Sequence, residues 1–225
     1  MRFNESVLDP AIDFAVHQVF RTSLGEDNSR VLVTRMKAID ILFHAGLHEK
    51  DRRIKEVAEG EFGKHYWTLV EHDREDPFKL SDDVAKKFGK TLSILTESLR
   101  KTSSYSAFVS KLLHWSFPQA FPMTDSRARN AISRLAKNNC SLREKLGHNW
   151  SQTLFKGKAE HVRNYEGVIA FYRWLEGTLG ESYLEQIRLK DLETLPKSLR
   201  PEQAYSWLRV VDKWLWLKGG PTAEA

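Results

Sequence analysis

The chain has 225 residues, a formal net charge of +5, a sequence pI near 9.2, 41% hydrophobic and 29% charged residues. These values exclude a disordered or fibrous chain and fit one large domain or two small ones. No apolar run approaches the roughly 18 residues a membrane span needs. The opening MRFNESVLDP lacks the apolar stretch of a secretory signal, and one cysteine, Cys140, leaves no internal disulfide; the expected setting is cytoplasmic, with no membrane partner.

Helical periodicity runs through the chain. Asp9-Pro10 pairs a capping residue with proline at the first helical position, and Ile12, Phe14, Val16, Val19 and Phe20 build an apolar face that ends near Leu24-Gly25. Ser29 opens a second helix with Val31, Leu32, Met36, Ile39, Leu42 and Phe43 at helical spacing, stopped by Gly46. The stretch HEKDRRIKEVAEGE reads as a short solvated helix, Phe62 to Val70 as another, and Glu71 to Pro77 as a turn. Ser81 caps a long helix through about Arg100, with Val84, Phe88, Leu92, Leu95 and Leu99 inside and Lys86, Lys87 and Lys90 outside. Ser103 or Ser104 starts a helix that Pro118 and Pro122 must break. Asp125 to Lys137, Leu142 to Gly147 and Ala159 to Leu179 are the next helical stretches, and Pro201 begins a last one rich in Trp207, Trp214 and Trp216. No period-two pattern persists, so the fold class is all-α, with many helices. An N-terminal helical layer over 1–75 and a helical core over 76–218 are expected, as two parts or one interleaved domain, with a disordered tail over 219–225.

Residues 104–134 carry the chemistry. Lys111 is the one lysine in an otherwise uncharged run from Ala107 to Phe117. An ammonium among Phe108, Leu112, Leu113 and Trp115 is costly to desolvate, and burial favours the neutral, nucleophilic amine. Helical offsets place Ser104, Phe108, His114 and Trp115 on its face or close to it, so His114, Trp115 and Phe108 are candidate substrate contacts. Asp125 stands at the next helix start, where the terminal amides and the helix dipole favour an anion. Two plainer readings stay open beside these: Lys111 as a lysine that packs its stem and snorkels, and Asp125 as a helix cap.

The run Ser110-Lys111, Leu113-His114-Trp115, Phe121-Pro122-Met123 and Asp125-Ser126-Arg127 resembles the core of the helix–hairpin–helix DNA glycosylase superfamily. The likeness is nearest to bacterial proteins with the 8-oxoguanine DNA glycosylase fold. The resemblance implies that Lys111 attacks C1′ of a damaged nucleoside and that Asp125 assists from the next helix start. It implies a DNA glycosylase and AP lyase acting on a damaged purine such as 8-oxoguanine, with double-stranded DNA as partner and no cofactor. The hairpin is divergent: Ser106-Ala107-Phe108-Val109-Ser110 stands where the superfamily has glycines. The alternative is a nucleic-acid-binding or protein-interaction module that kept the fold without the catalysis.

Arg127 and Arg129 after Asp125, and Lys156 and Lys158 around Gly157, are the expected DNA contacts, giving affinity without sequence readout. His44 and His48 have metal-ligand spacing but no third ligand nearby, so no metal site is expected.

Overall fold

The computed structural model describes residues 10–21, 27–45, 47, 49–99, 105–147, 158–195, 197, 200 and 205–219, with backbone alone over 10–11 and 158–164. Among them lie eleven helices and no strand: α1 Pro10–Arg21, α2 Asn28–Phe43, α3 Asp51–Glu59, α4 Glu61–Glu75, α5 Asp82–Leu99, α6 Ser106–Ser116, α7 Ser126–Lys137, α8 Cys140–Leu146, α9 Lys158–Leu179, α10 Glu181–Glu193 and α11 Trp207–Gly219. The all-α expectation holds.

Several boundaries differ from the sequence reading. α4 runs on to Glu75 through the segment expected to turn. Its charged residues form a solvated helical face, and the turn comes only where the Asp73 carboxylate accepts the Phe78 N–H at 2.7 Å, around Pro77. α3 is not merely solvated, because Ile54, Val57 and Ala58 are buried. α10 had no sequence expectation. Its buried Leu184, Ile187 and Leu192 give a sparse apolar stripe, and Gly180 at φ 79 separates it from α9. α11 begins at Trp207, after the non-helical Tyr205 and Ser206, and keeps residue 219 helical, so the expected tail loses its first residue; the expected start at Pro201 and the rest of the tail lie outside the described residues. Ser103, Ser104, Gly46 and His48 lie outside the described residues.

The apolar interior forms two main clusters. One joins side chains from Val16 to Phe121 with Tyr165 and Ile169. The other joins Ala128, Ile132 and Leu142 with Phe171, Tyr172, Leu208, Val211 and Leu215. α9 serves both, turning Tyr165 and Ile169 to the first and Val168, Phe171, Tyr172 and Leu175 to the second. In chain order the first cluster runs to Phe121 before α9 adds to it, and the second begins at Ala128. The 76–81 link is itself packed: Phe78 meets Phe117 and Phe121 edge-on at 5.2 and 6.1 Å, and Leu80 touches both clusters.

Two glycines set how close helices approach. A Cβ on Gly63 would lie 1.8 Å from the Ala58 carbonyl oxygen, and one on Gly219 would lie 1.7 Å from that of Arg127. The first joint clamps α4 to α3. The second brings the end of α11 onto the first turn of α7, beside Asp125.

Candidate active site

α6 ends where Phe117 donates its N–H to the Leu113 carbonyl at 2.8 Å, ahead of Pro118. Residues 117–124 then return the chain to α7, held by side chains that satisfy buried backbone groups. The Ser110 hydroxyl accepts the Thr124 N–H at 3.1 Å and lies 3.1 Å from the Thr124 carbonyl. His114 Nδ1 sits 2.8 Å from the Phe121 carbonyl oxygen, and the Tyr165 hydroxyl donates to the Pro122 carbonyl at 2.9 Å. Ser110 and Thr124 are the neighbours of Lys111 and Asp125, so their mutual bonds fix the spacing of the site.

The result is an ion pair across the turn. Lys111 Nζ stands 3.8 Å from Asp125 Oδ2, with 12% and 24% of the two side chains exposed. The other Asp125 oxygen, Oδ1, caps α7 by accepting the Ala128 N–H at 2.9 Å. Capping and pairing thus coexist on one carboxylate. Phe43, the partly exposed last residue of α2, closes the far side, with Lys111 Nζ 6.0 Å from its ring centroid and the Trp115 ring 6.3 Å away.

The three expected substrate contacts are interior. Phe108 and His114 are fully buried, and Trp115 nearly so. They offer no open face to a base in this conformation, because α1, α2 and α5 pack against the face of α6 that carries them. Burial lowers the His114 imidazole to about 4 even though its bond to the Phe121 carbonyl favours the cation. A neutral ring with its proton on Nδ1 satisfies that carbonyl, so His114 is a clip of the 117–124 loop.

The expected DNA contacts divide. The Arg127 guanidinium lies 3.9 Å from the Trp216 ring centroid, on the first turn of α7. Arg129 is half-buried, and desolvation lowers it to about 10 against the opposing pull of Asp125. Lys158 starts α9, while Lys156 lies outside the described residues. Among the described residues no group of His, Cys, Asp and Glu is arranged to hold a metal ion, and no helix is long and apolar enough to cross a membrane.

Beside the pair lies a charge network that the sequence reading passed over. Arg209 of α11 donates to Asp13 of α1 through Nη2 at 2.7 Å and Nε at 3.2 Å, and to Asp212 through Nη1 at 2.5 Å. Lys213 Nζ is 3.3 Å from Asp13 and 3.2 Å from Asp191 of α10, and it also donates to the Tyr205 hydroxyl, which in turn donates to Asp191. Asp13, Arg209, Asp212 and Lys213 are all buried. Burial alone would raise the Asp13 carboxyl, but the charges of Arg209 and Lys213 overcome it and hold it below the usual value. Asp212 goes the other way, to about 6: burial dominates, Arg209 opposes, and Asp125 adds to the rise while Lys111 counters it. Arg209 is already engaged by both oxygens of Asp13, which weakens its hold on Asp212. The signal for this network was present. Arg209, Asp212 and Lys213 stand at helical offsets of three and four inside the apolar run WLRVVDKWLW, the same pattern that singled out Lys111.

Tyr172 of α9 completes the surroundings. Its hydroxyl is buried with no hydrogen-bond partner among the described residues, and burial, with the charges of Asp212 and Asp125, raises it. No family model matches the chain, and neither a curated protein nor a solved structure matches it.

Proposed function

We propose that the chain is a DNA glycosylase and AP lyase of helix–hairpin–helix type that removes a damaged purine such as 8-oxoguanine, with Lys111 as nucleophile. The observation that carries this is the 3.8 Å approach of Lys111 Nζ to Asp125 Oδ2 across a turn that ends on a helix N-terminus. In this reading the Lys111 lone pair forms a bond to C1′ of a flipped nucleotide, the bond from C1′ to the base breaks, and the base leaves. Opening of the sugar gives a Schiff base, from which β-elimination cleaves the strand. Asp125 lies where positive charge develops on the sugar and stabilises it. DNA lies along the N-terminal end of α7, where Arg127 and the helix dipole favour phosphate.

One observation favours a second reading, a nucleic-acid-binding module without catalysis. Ser106, Phe108, Val109 and Ser110 are buried in the first turns of α6, so the divergent hairpin has no glycine cradle for a phosphate.

The deciding experiment is borohydride trapping on a panel of lesion-bearing duplexes. Wild-type protein forms a covalent adduct and Lys111→Gln forms none. Asp125→Asn, which still caps α7, slows base release by about 100-fold or more, the usual scale for removing one electrostatic stabiliser of a transition state. Adduct formation by Lys111→Gln removes the lysine from the mechanism. Absence of any adduct together with salt-sensitive duplex binding selects the second reading. Such binding weakens steeply as salt rises, because each neutralised phosphate releases condensed counterions, and it weakens further in Arg127→Ala. Salt-independent affinity removes DNA as the partner.

A further inference from the structure

α7 and α11 pack against each other along a seam that starts beside Asp125. Gly219 lets the end of α11 touch the Arg127 backbone. Trp216, about one turn earlier on α11, lies against the Arg127 side chain, with the guanidinium carbon 3.9 Å from its ring centroid. At that distance the guanidinium stacks on the indole, and its N–H groups stay at the edge of the plane, where they suit the paired oxygens of a phosphate. Among the described residues no carboxylate pairs with Arg127. Arg134 and Lys137 follow on α7 at helical spacing, and Arg134 is tied to α11 by a bond to the Lys218 carbonyl at 3.0 Å. Arg134, Lys137 and Lys218 are exposed, and Arg127 and Trp216 are half-buried. Neither helix sets an acid among these cations: α7 has none, and Asp212, the one acid of α11, is buried. On α5, by contrast, Lys86 and Lys87 are both paired with Asp83.

We propose that this seam binds one strand of duplex DNA by its phosphates, with Arg127, Arg134, Lys137 and Lys218 as the cationic contacts and Trp216 as the positioning residue that holds Arg127. The inference rests on the DNA reading of the proposed function and not on its chemistry. Charge complementarity carries the choice of partner. The seam is a row of cations with no acid between them, and it starts at the helix end that bears Asp125. From Arg127 to Lys137 it runs about 15 Å at the rise of an α-helix, roughly the length of four phosphates along one strand. Stacking on Trp216 fixes the Arg127 side chain before any phosphate arrives, so less freedom is lost on binding. Contacts of this kind hold a strand in place without reading its sequence.

The test is fluorescence anisotropy of an undamaged DNA duplex titrated with the full chain across a series of salt concentrations. For wild type, log affinity falls linearly with log salt. Arg134→Ala combined with Lys137→Ala makes that line shallower by about 2, one for each lost phosphate contact. Arg127→Ala and Trp216→Leu each make it shallower by about 1, and the two together do no more than either alone. Trp216→Phe keeps the wild-type line. A Trp216 that served packing alone would change stability and leave the slope untouched. Lys64→Ala combined with Arg74→Ala, which removes two exposed cations of α4, leaves the line as it was. Wild-type slopes in the Arg134–Lys137 variant and in Trp216→Leu overturn the inference. Should Trp216→Leu not fold, the exposed Arg134 and Lys137 decide. An equal loss from the α4 variant also overturns it. So does competition by polyglutamate as strong as by DNA at equal charge, which would make the seam a surface for an acidic protein. A wild type that does not bind duplex removes the DNA reading itself, whereas unchanged slopes in a wild type that binds remove only the seam.

Discussion

His114 links a single side chain to the stability of the site. Its imidazole is buried and lowered to about 4, against 6.5 for the free group. A folded value below the unfolded one means that stability is fully present above about pH 6.5 and is lost as pH falls through about 4. At about 1.4 kcal/mol per unit, the loss amounts to roughly 3 kcal/mol. His114→Gln keeps an N–H for the Phe121 carbonyl but cannot titrate. The melting temperature of wild type therefore falls toward, or below, that of the variant between neutral pH and pH 4. A gap that stays constant with pH would show that the ring does not remain neutral in the fold. Asp212 contributes with the opposite sign, because its folded value is raised to about 6: its contribution is present below about pH 4 and is lost as pH rises through 6. In the acid range it offsets part of the His114 loss, so Asp212→Asn loses stability more steeply than wild type on acidification.

At the scale of elements, α6, α7 and α11 position the lysine–aspartate pair. Ser110, His114 and Tyr165 tie down the loop from α6 to α7, and Gly219 lets α11 reach the first turn of α7. Gly219→Ala would drive a methyl group into the Arg127 carbonyl oxygen, and backbone cannot step aside as a flexible side chain does. We expect a loss of about 1–3 kcal/mol in denaturant unfolding, the usual cost of overpacking, with a shifted Lys111–Asp125 separation because Asp125 moves with α7. Gly177, where a Cβ meets nothing within 4 Å, is the matched control, and Gly177→Ala should be neutral or slightly stabilising. Equal effects at the two glycines would show that the α7–α11 contact is looser than described. Much of this level was legible beforehand. The turn at Pro118–Pro122 and the start of α7 follow from proline and from Asp125 as a cap. α10 was not legible, because its apolar residues are few and its helix is fixed by Gly180 and by packing on α9 and α11.

For the whole molecule, Asp13 and Arg209 join the two ends of the chain, 196 residues apart, and close α1 onto α11. Removing Asp13 leaves Arg209 with Asp212 alone and Lys213 with Asp191 alone, so two buried cations lose one of their two carboxylates. Asp13→Ala should cost about 3–5 kcal/mol, the scale for breaking a buried pair, read as a drop in denaturant midpoint. Replacing both partners with apolar residues of similar volume should recover most of it. A small effect of the single variant would mean that Asp212 and Asp191 compensate for the lost carboxylate.

The all-α class, most helix positions and the separation of Lys111 and Asp125 by a proline-broken turn were legible in the residues alone. These depend on local rules: apolar spacing, caps and the fixed φ of proline. The sequence also marked Lys111 as unusual, since one charge in an apolar run is a local pattern. Long-range packing is what turns His114, Trp115 and Phe108 inward, sets the Phe43 ring beside the lysine, and gathers Asp13, Arg209 and Asp212 into one buried network. Burial and ion pairing are set by which helices meet, and the meeting of α1 with α11 spans nearly the full chain. A helical pattern shows which residues share a face, but not which distant face will cover it.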